Sequence, residues 1–98
     1  MNRVVVITGA GGVLCSGFAE FLAQQGDRVA LLDLNLPAAQ QVARRITEAG
    51  GKAVAYQCNV LEKESIETVH RSVLQDFGPC DVLINGAGGN NPRCTTAH

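Results

Sequence analysis

The chain has no cluster of positive charge, no long apolar run and no closely spaced pair of cysteines. Its 98 residues carry eight Lys and Arg against nine Asp and Glu, a net charge of −1 that argues against a nucleic-acid or other polyanion partner. No apolar run approaches the roughly 18 residues that cross a bilayer, so we expect no membrane partner. The start of the sequence lacks the regions of a signal peptide, which indicates a cytoplasmic protein.

The four cysteines argue against a further class of site. Cys15, Cys58, Cys80 and Cys94 are widely spaced, with no C-x-x-C pair and no pair of histidines nearby. A zinc site or a disulfide-rich scaffold needs tighter spacing. We therefore expect no metal site, and we expect reduced thiols that are mostly buried as small hydrophobic groups.

Strand-like and helix-like segments alternate along the chain, of which 46 % is hydrophobic. Continuous apolar β-formers predict buried strands, and apolar residues at three- and four-residue steps predict helices. The predicted strands are Arg3–Thr8, Arg28–Asp33, Ala53–Asn59 and Asp81–Asn85. The predicted helices are Val13–Gln25, a segment between the possible N-cap Asn35 and Gly50, and Glu62–Phe77. The tail that follows has no periodicity, which leaves the fourth strand as a bare edge.

The order β-α-β-α-β-α-β predicts an α/β fold, namely the N-terminal portion of a Rossmann-like, doubly wound parallel sheet. One apolar helical face is expected in the first helix and another in the third. The residues expected on these faces are Val13, Leu14, Phe18, Phe21 and Leu22 in the first helix, and Ile66, Val69, Val73 and Phe77 in the third.

A glycine-rich turn, Thr8-Gly9-Ala10-Gly11-Gly12, separates the first strand from the first helix. Glycine permits positive φ and lets a ligand approach the backbone without a Cβ in the way. The helix that follows presents N–H groups and a partial positive charge, which suit a pyrophosphate. Glycines also close ordinary βα turns, so a turn without a ligand is the alternative.

An acidic residue, Asp33, ends the second predicted strand, 24 residues after Gly9. A carboxylate there can accept hydrogen bonds from both ribose hydroxyls of an adenosine. It would also repel a 2′-phosphate, which favours NAD over NADP. A helix cap or a solvated loop Asp is the alternative. Methyltransferases that bind S-adenosylmethionine use a similar pairing of turn and carboxylate, so these two features leave the ligand open.

The fourth predicted strand distinguishes these classes. It begins the stretch DVLINGAGG, Asp81–Gly89, in which Asn and small residues follow the strand. With the Thr8-Gly9 turn, the acidic end of the second strand and the CNV segment at 58–60, it resembles the short-chain dehydrogenase/reductase family. That family has a first turn of the form T-G-x-x-x-G-x-G and a fourth strand that ends in N-N-A-G. The strings GAGGVLCSG and INGAGGNNP are similar to a sugar-acid subgroup, the D-mannonate oxidoreductases or fructuronate reductases.

The resemblance implies a set of residues that bind NAD. They are Gly9, Gly11, Gly12, Leu14, Asp33, Asn59, Val60, Asn85, Ala87 and Gly88. Gly9 and the backbone around Gly12 and Leu14 would face the pyrophosphate, Asp33 would hold the adenosine ribose, and the next two would border the adenine. The last three would stabilise the sheet edge and line the ribose nearer the nicotinamide. The implied reaction is hydride transfer between nicotinamide and a carbonyl or hydroxyl group of a small-molecule substrate, by a full-length form that is a homo-oligomer.

Two positions of the first turn depart from the pattern of the family. Val13 and Cys15 stand where its second and third glycines would fall. We expect Gly11, Gly12 and Gly17 to supply the missing backbone freedom, with Gly17 allowing close contact between helix and strand. The turn is then predicted to hold the dinucleotide in a variant geometry.

No catalytic residue can be assigned. The family's proton donor is a tyrosine in a Y-x-x-x-K pattern, assisted by a serine, and both follow the fourth strand. The single tyrosine of the chain, Tyr56, lies on the third predicted strand, and position 60 is Val60. We therefore predict that residues 1–98 form a partial NAD(P)-binding domain that ends before the catalytic half and is inactive alone. The alternative is a non-catalytic nucleotide-binding module or a truncated inactive product.

Overall fold

The computed structural model describes residues 2–86 and 95–97, and these form five strands and three helices. The strands are β1 (Val4–Thr8), β2 (Arg28–Asp33), β3 (Lys52–Gln57), β4 (Val82–Asn85) and β5 (Thr95–Ala97). The helices are α1 (Val13–Gln24), α2 (Leu36–Glu48) and α3 (Lys63–Phe77). The predicted alternation is confirmed through β4, with boundaries that differ from the expected ones by at most about two residues.

The strands form one sheet in the order β3-β2-β1-β4-β5, in which the first four are parallel. Side chains alternate between the two faces of the sheet. Val5 and Ile7 of β1 belong to a core cluster with α1 and α2, whereas Val4 and Val6 belong to a second cluster with α3. The predicted Rossmann-like, doubly wound fold is therefore confirmed, with helices on both faces of the sheet.

The tail contributes a short strand that the sequence does not predict. Thr95 pairs with Asn85 and Ala97 pairs with Leu83, so β5 runs antiparallel to β4. The prediction of a bare edge at β4 is therefore wrong. Three residues are too few to show a period-2 pattern, so the sequence carries no signal for this strand.

Helix α1 packs on the sheet through a different face from the one predicted. Its buried residues are Cys15, Ala19, Leu22 and Ala23. Of the face expected to be inward, Leu22 alone is buried, and the others are exposed, with exposed fractions of 89 % for Val13, 56 % for Leu14, 38 % for Phe18 and 56 % for Phe21. Small side chains let the helix lie close to the sheet, and this requirement outweighs the larger apolar surface of the opposite face.

Helix α3 agrees better with the prediction. Val69 and Val73 are buried and Phe77 packs against the same cluster, as expected, while Ile66 is 44 % exposed.

The expectation for the cysteines is confirmed for Cys58, which is buried and free.

Two other cysteines depart from that expectation. Cys80 is free but exposed. Cys15 is buried and disulfide-bonded, so the prediction of a reduced thiol is wrong there. Its neighbours in the core are apolar, and the residue still contributes to the packing of α1.

An ion pair closes the amino-terminal edge of the sheet. Arg3 donates to Asp27 through its backbone N–H at 3.2 Å, through Nε at 3.3 Å and through Nη2 at 2.9 Å. The Asp27 side chain is fully buried, whereas the Arg3 side chain is 41 % exposed. Hydrogen bonds from the guanidinium lower the pKa of the Asp27 carboxyl.

Candidate functional site

The carboxyl ends of the parallel strands bring the predicted site residues to one edge of the sheet. Thr8 pairs with Leu32 on one side and with Asn85 on the other, and Asp33 pairs with Gln57. The strand order reverses at β1, because β2 and β3 lie on one side of this strand and β4 lies on the other. Open α/β sheets bind ligands in the crevice at such a point.

A hydrogen-bonded cluster joins the ends of β1 and β4 beside this crevice. The Thr8 hydroxyl donates to Asn85 Oδ1 at 2.9 Å. The N–H of Gly86 donates to both the hydroxyl and the carbonyl oxygen of Thr8, each at 3.1 Å. Asn85 therefore lies at the sheet edge in contact with β1, next to the glycine-rich turn.

The glycine-rich turn takes a conformation that its first glycine makes possible. Gly9 has φ +68°, which an L side chain rarely adopts. The turn is closed by a hydrogen bond from the N–H of Gly12 to the Gly9 carbonyl at 3.1 Å, and the N–H of Ala10 ties it to Leu32 of β2 at 3.1 Å. Gly9 is thus required by the backbone itself.

Helix α1 begins directly after this turn and presents its first N–H groups to the crevice side. Gly12 is the N-cap residue and has no side chain that could accept from these groups. The first helical hydrogen bond runs from Ser16 N–H to the Gly12 carbonyl at 2.9 Å. The N–H groups of Val13 and Leu14 come before it and have no acceptor within the helix. No acidic side chain lies in the first turn, so an anion is favoured there.

The residues that replace the expected glycines lie outside the turn. Val13 projects to solvent with an exposed fraction of 89 %, and Cys15 belongs to the core cluster beneath α1. The expected role of Gly17 is wrong, because a Cβ at that position would meet nothing within 4 Å. The close approach occurs at Gly11 instead, where a Cβ would lie 2.7 Å from the Ala38 Cβ.

The Asp33 carboxylate is held by two backbone amides. Its Oδ2 accepts from Gly11 N–H at 2.8 Å and its Oδ1 accepts from Asn35 N–H at 2.9 Å. A carboxylate has about four lone-pair sites, so each oxygen retains one for a further donor. Asn35 also caps α2 by accepting from Ala38 N–H at 3.3 Å, as its position in the sequence predicts.

The loop after β3 lies beside the end of β2. The N–H of Cys58 donates to the Asp33 carbonyl at 3.1 Å. Asn59 accepts from Leu61 N–H at 3.0 Å through Oδ1, and its own N–H donates to the Ser65 hydroxyl at 2.9 Å. These bonds fix the loop, and both Asn59 and the following Val60 are half-buried at the edge where Asp33 lies.

Two of the predicted residues, Ala87 and Gly88, lie outside the described residues. Tyr56 packs against the α3 cluster and donates from its hydroxyl to Asp76 Oδ2 at 2.6 Å. Burial, with this hydrogen bond as a second cause, raises the pKa of the Tyr56 hydroxyl, which keeps it protonated and makes it a poor acid.

An apolar cavity of about 560 Å³ adjoins the crevice on the α3 side of the sheet. Thr8 and Asn85 belong to its lining as well as to the joined ends of β1 and β4. Most of the other lining residues are apolar, and five of these come from the strands and α3, namely Val6, Leu32, Ile66, Val73 and Leu83.

Within residues 2–86 and 95–97, no three His, Cys, Asp or Glu side chains come together as a metal site would require. None of the helices in that part of the chain combines the length and the apolar character needed to cross a membrane.

Comparison with known proteins identifies relatives over nearly the whole chain. The model of the short chain dehydrogenase family matches residues 3–98. An uncharacterized oxidoreductase of Haemophilus influenzae is 58 % identical over 95 residues, which are 97 % of this chain and 33 % of that protein. The oxidoreductase UxuB of Bacillus subtilis is 46 % identical over 95 residues, 97 % of this chain and 34 % of that protein.

Solved structures give the same result. The crystal structure of a candidate D-mannonate oxidoreductase from Haemophilus, with bound NAD, has a TM-score of 0.88 and 58 % identity, and covers 93 % of this chain and 32 % of its own. A metagenomic short-chain oxidoreductase in complex with NADP has a TM-score of 0.78 and 33 % identity, and the match covers 83 % of this chain and 37 % of that protein's chain. The chain thus spans about a third of the length of the relatives it matches.

Proposed function

Because the chain belongs to the short-chain dehydrogenase family, we propose that it is the dinucleotide-binding part of an NAD-dependent oxidoreductase. The observation that carries the proposal is the Asp33 carboxylate, which two backbone amides hold at the edge of the crevice beside the start of α1. The residues present fit the cofactor, since they offer an anion site and a ribose acceptor on neighbouring elements. Bound NAD would supply the chemistry of hydride transfer between its nicotinamide and a carbonyl or hydroxyl group.

The pyrophosphate would lie at the glycine-rich turn. Gly9 gives the backbone the required conformation, and Gly12 leaves the helix start free of a side chain. The N–H groups of Val13 and Leu14 would donate to phosphate oxygens, and the partial positive charge of α1 would add to the attraction. Val13 replaces a glycine of the family pattern, but its side chain points to solvent and leaves these N–H groups accessible.

The adenosine half would extend from Asp33 toward the loop after β3. The remaining lone pairs of Asp33 would accept from the ribose hydroxyls, and Asn59 and Val60 would border the adenine. A 2′-phosphate would place a second negative charge against this carboxylate, so NAD is the preferred cofactor. Of the two solved structures described above, one holds NAD and the other holds NADP. We therefore expect residue 33 to determine whether NAD or NADP is preferred.

The proton donor of the reaction would come from a segment outside residues 1–98. The single tyrosine of these residues, Tyr56, is engaged with Asp76 and lies in no Y-x-x-x-K pattern. We propose that residues 1–98 are a partial domain and do not turn over substrate alone, and that the full-length form is a cytoplasmic homo-oligomer. Turnover of NAD by pure protein of residues 1–98 would contradict the first part of this proposal.

The proposed substrate class is a sugar acid of the D-mannonate or D-fructuronate type. It rests on the name of the Haemophilus protein, which is 58 % identical to this chain. The test is NAD-linked oxidation of D-mannonate by the full-length protein, with xylitol as a neutral polyol control. Faster oxidation of xylitol would contradict this substrate class and leave the cofactor assignment intact.

The cofactor proposal is tested by calorimetric titration of NAD and NADP into the wild type and the Asp33→Asn variant. We expect NAD affinity to fall at least about tenfold, since a hydrogen bond to a charged group contributes about 1.5–3 kcal/mol. NADP should bind no more weakly than before, because the repelling charge is gone. Glu48→Gln is the matched control. It removes the same charge about 18 Å away along α2 and should change neither affinity. An unchanged preference in Asp33→Asn would show that Asp33 is only structural.

A further inference from the structure

Three elements meet at Gly11 with no space for a side chain. A Cβ on Gly11 would lie 2.7 Å from the Cβ of Ala38, in the first turn of α2, and 2.9 Å from Asp33 Oδ2. It would also lie 3.3 Å from the backbone carbon of Ala38. Contacts below about 3.0 Å do not occur between real Cβ atoms and their neighbours, so any residue other than glycine must displace the Asp33 carboxylate as well as α2.

The same residue donates the hydrogen bond that orients the carboxylate. Gly11 N–H lies 2.8 Å from Asp33 Oδ2, and Asn35 N–H holds the other oxygen at 2.9 Å. With one amide on each oxygen, the carboxylate group cannot rotate without breaking a charge-assisted hydrogen bond. The N–H of Gly11 is therefore used within the protein, and this glycine serves the site through Asp33.

We propose that Gly11 is a positioning residue that determines cofactor specificity, because it aims the free lone pairs of Asp33 at the adenosine ribose and keeps that carboxylate where a 2′-phosphate would lie. This inference rests on the proposed function and assigns to Gly11 the control of its NAD preference. A side chain at position 11 would push the carboxylate away, weakening the ribose contact and the repulsion of 2′-phosphate together.

The test uses two probes that carry only the adenosine half of the cofactors, 5′-AMP and adenosine 2′,5′-bisphosphate. Their affinities are measured by calorimetry for the wild type, Gly11→Ala, Asp33→Ser and the double variant. We expect Gly11→Ala to reduce the preference for 5′-AMP by about tenfold, the equivalent of one hydrogen bond to a charged group. Because Gly11 acts through Asp33, we expect no further change when Gly11→Ala is added to Asp33→Ser.

Gly17→Ala is the matched control, since it adds the same methyl group at a position with nothing within 4 Å. It should leave the ratio of the two affinities unchanged. If Gly11→Ala does not fold, the variant Gly11→Ala with Ala38→Gly carries the same test, because it removes the 2.7 Å contact and keeps the one with Asp33.

The outcomes separate the two proposals. Equal loss of both probes in Gly11→Ala, or an additive effect in the double variant, overturns the role of Gly11 and leaves nucleotide binding in place. Failure of the wild type to bind either probe overturns the proposed function, and the inference about Gly11 with it.

Discussion

Replacing Arg3 by Met should destabilise the fold far more than the loss of an ordinary surface ion pair. The change removes two hydrogen bonds to Asp27, from Nε at 3.3 Å and Nη2 at 2.9 Å, and leaves one from the backbone N–H. The carboxylate that stays behind is fully buried. Breaking a fully buried pair costs about 3–5 kcal/mol. Because the Arg3 side chain is 41 % exposed, water can partly replace it, and we expect a loss of unfolding free energy below this range but well above that of an exposed ion pair.

Arg45→Met is the matched control. Arg45 pairs with Glu20 at 3.3 Å, with side chains 51 % and 37 % exposed, and such pairs contribute less than about 1 kcal/mol. The assay is urea unfolding of both variants and the wild type, followed by circular dichroism at neutral pH. Equal losses of unfolding free energy in Arg3→Met and Arg45→Met would show that burial of the Asp27 carboxylate does not strengthen its ion pair.

The Arg3–Asp27 pair also makes the difference in unfolding free energy between the wild type and Arg3→Met depend on pH. Arg3 lowers the pKa of Asp27 in the folded state, so the unfolded chain binds this proton first as the pH falls. The stabilisation is complete above about pH 4, the ordinary value of an unfolded Asp, and is lost as the pH falls further toward the folded pKa. The gap between wild type and Arg3→Met should therefore narrow at about pH 3. A gap that stays constant from pH 7 to pH 3 would assign the loss to packing of the Arg3 stem.

Two further pairs of variants test the crevice and the core of the sheet. Thr8→Val removes the hydroxyl that bonds Asn85 and Gly86, and should lower the free energy of urea unfolding by about 1–2 kcal/mol. Thr8→Ser keeps a hydroxyl and should retain most of this stability, and an equal loss in Thr8→Ser would assign the effect to packing. Leu31→Ala changes a fully buried core position and should lower the free energy of unfolding by about 2–5 kcal/mol. Leu34→Ala changes a position that is 62 % exposed and should lower it by less than about 0.5 kcal/mol. Similar losses in the two variants would contradict the assigned core.

The order of elements and the place of Asp33 could be predicted because each depends on local sequence. The run RVALLD, Arg28–Asp33, is a strand with the predicted bounds, and Asp33 lies at its carboxyl end where a ribose acceptor is expected. Asn35 caps α2 as its residue type suggests. In each case the signal lies within a few neighbouring residues, where apolar runs and capping residues are informative.

What could not be predicted depends on contacts between distant segments. The buried face of α1 uses Ala19 and Ala23, whereas Phe18 and Phe21 are exposed, because fit to the sheet and not side-chain size decides which face packs. The role of Gly11 is visible only once α2 and the end of β2 are placed against the turn. In the sequence it is one of several glycines, and Gly17, expected to permit close contact, faces open space.

The assignment of this crevice to NAD is tested by a calorimetric titration of the wild-type chain with NAD, NADP and S-adenosylmethionine under identical conditions. We expect NAD to bind, NADP to bind at least about tenfold more weakly because of Asp33, and S-adenosylmethionine not to bind. Binding of S-adenosylmethionine without NAD, or a preference for NADP, would contradict the assignment of this crevice to NAD.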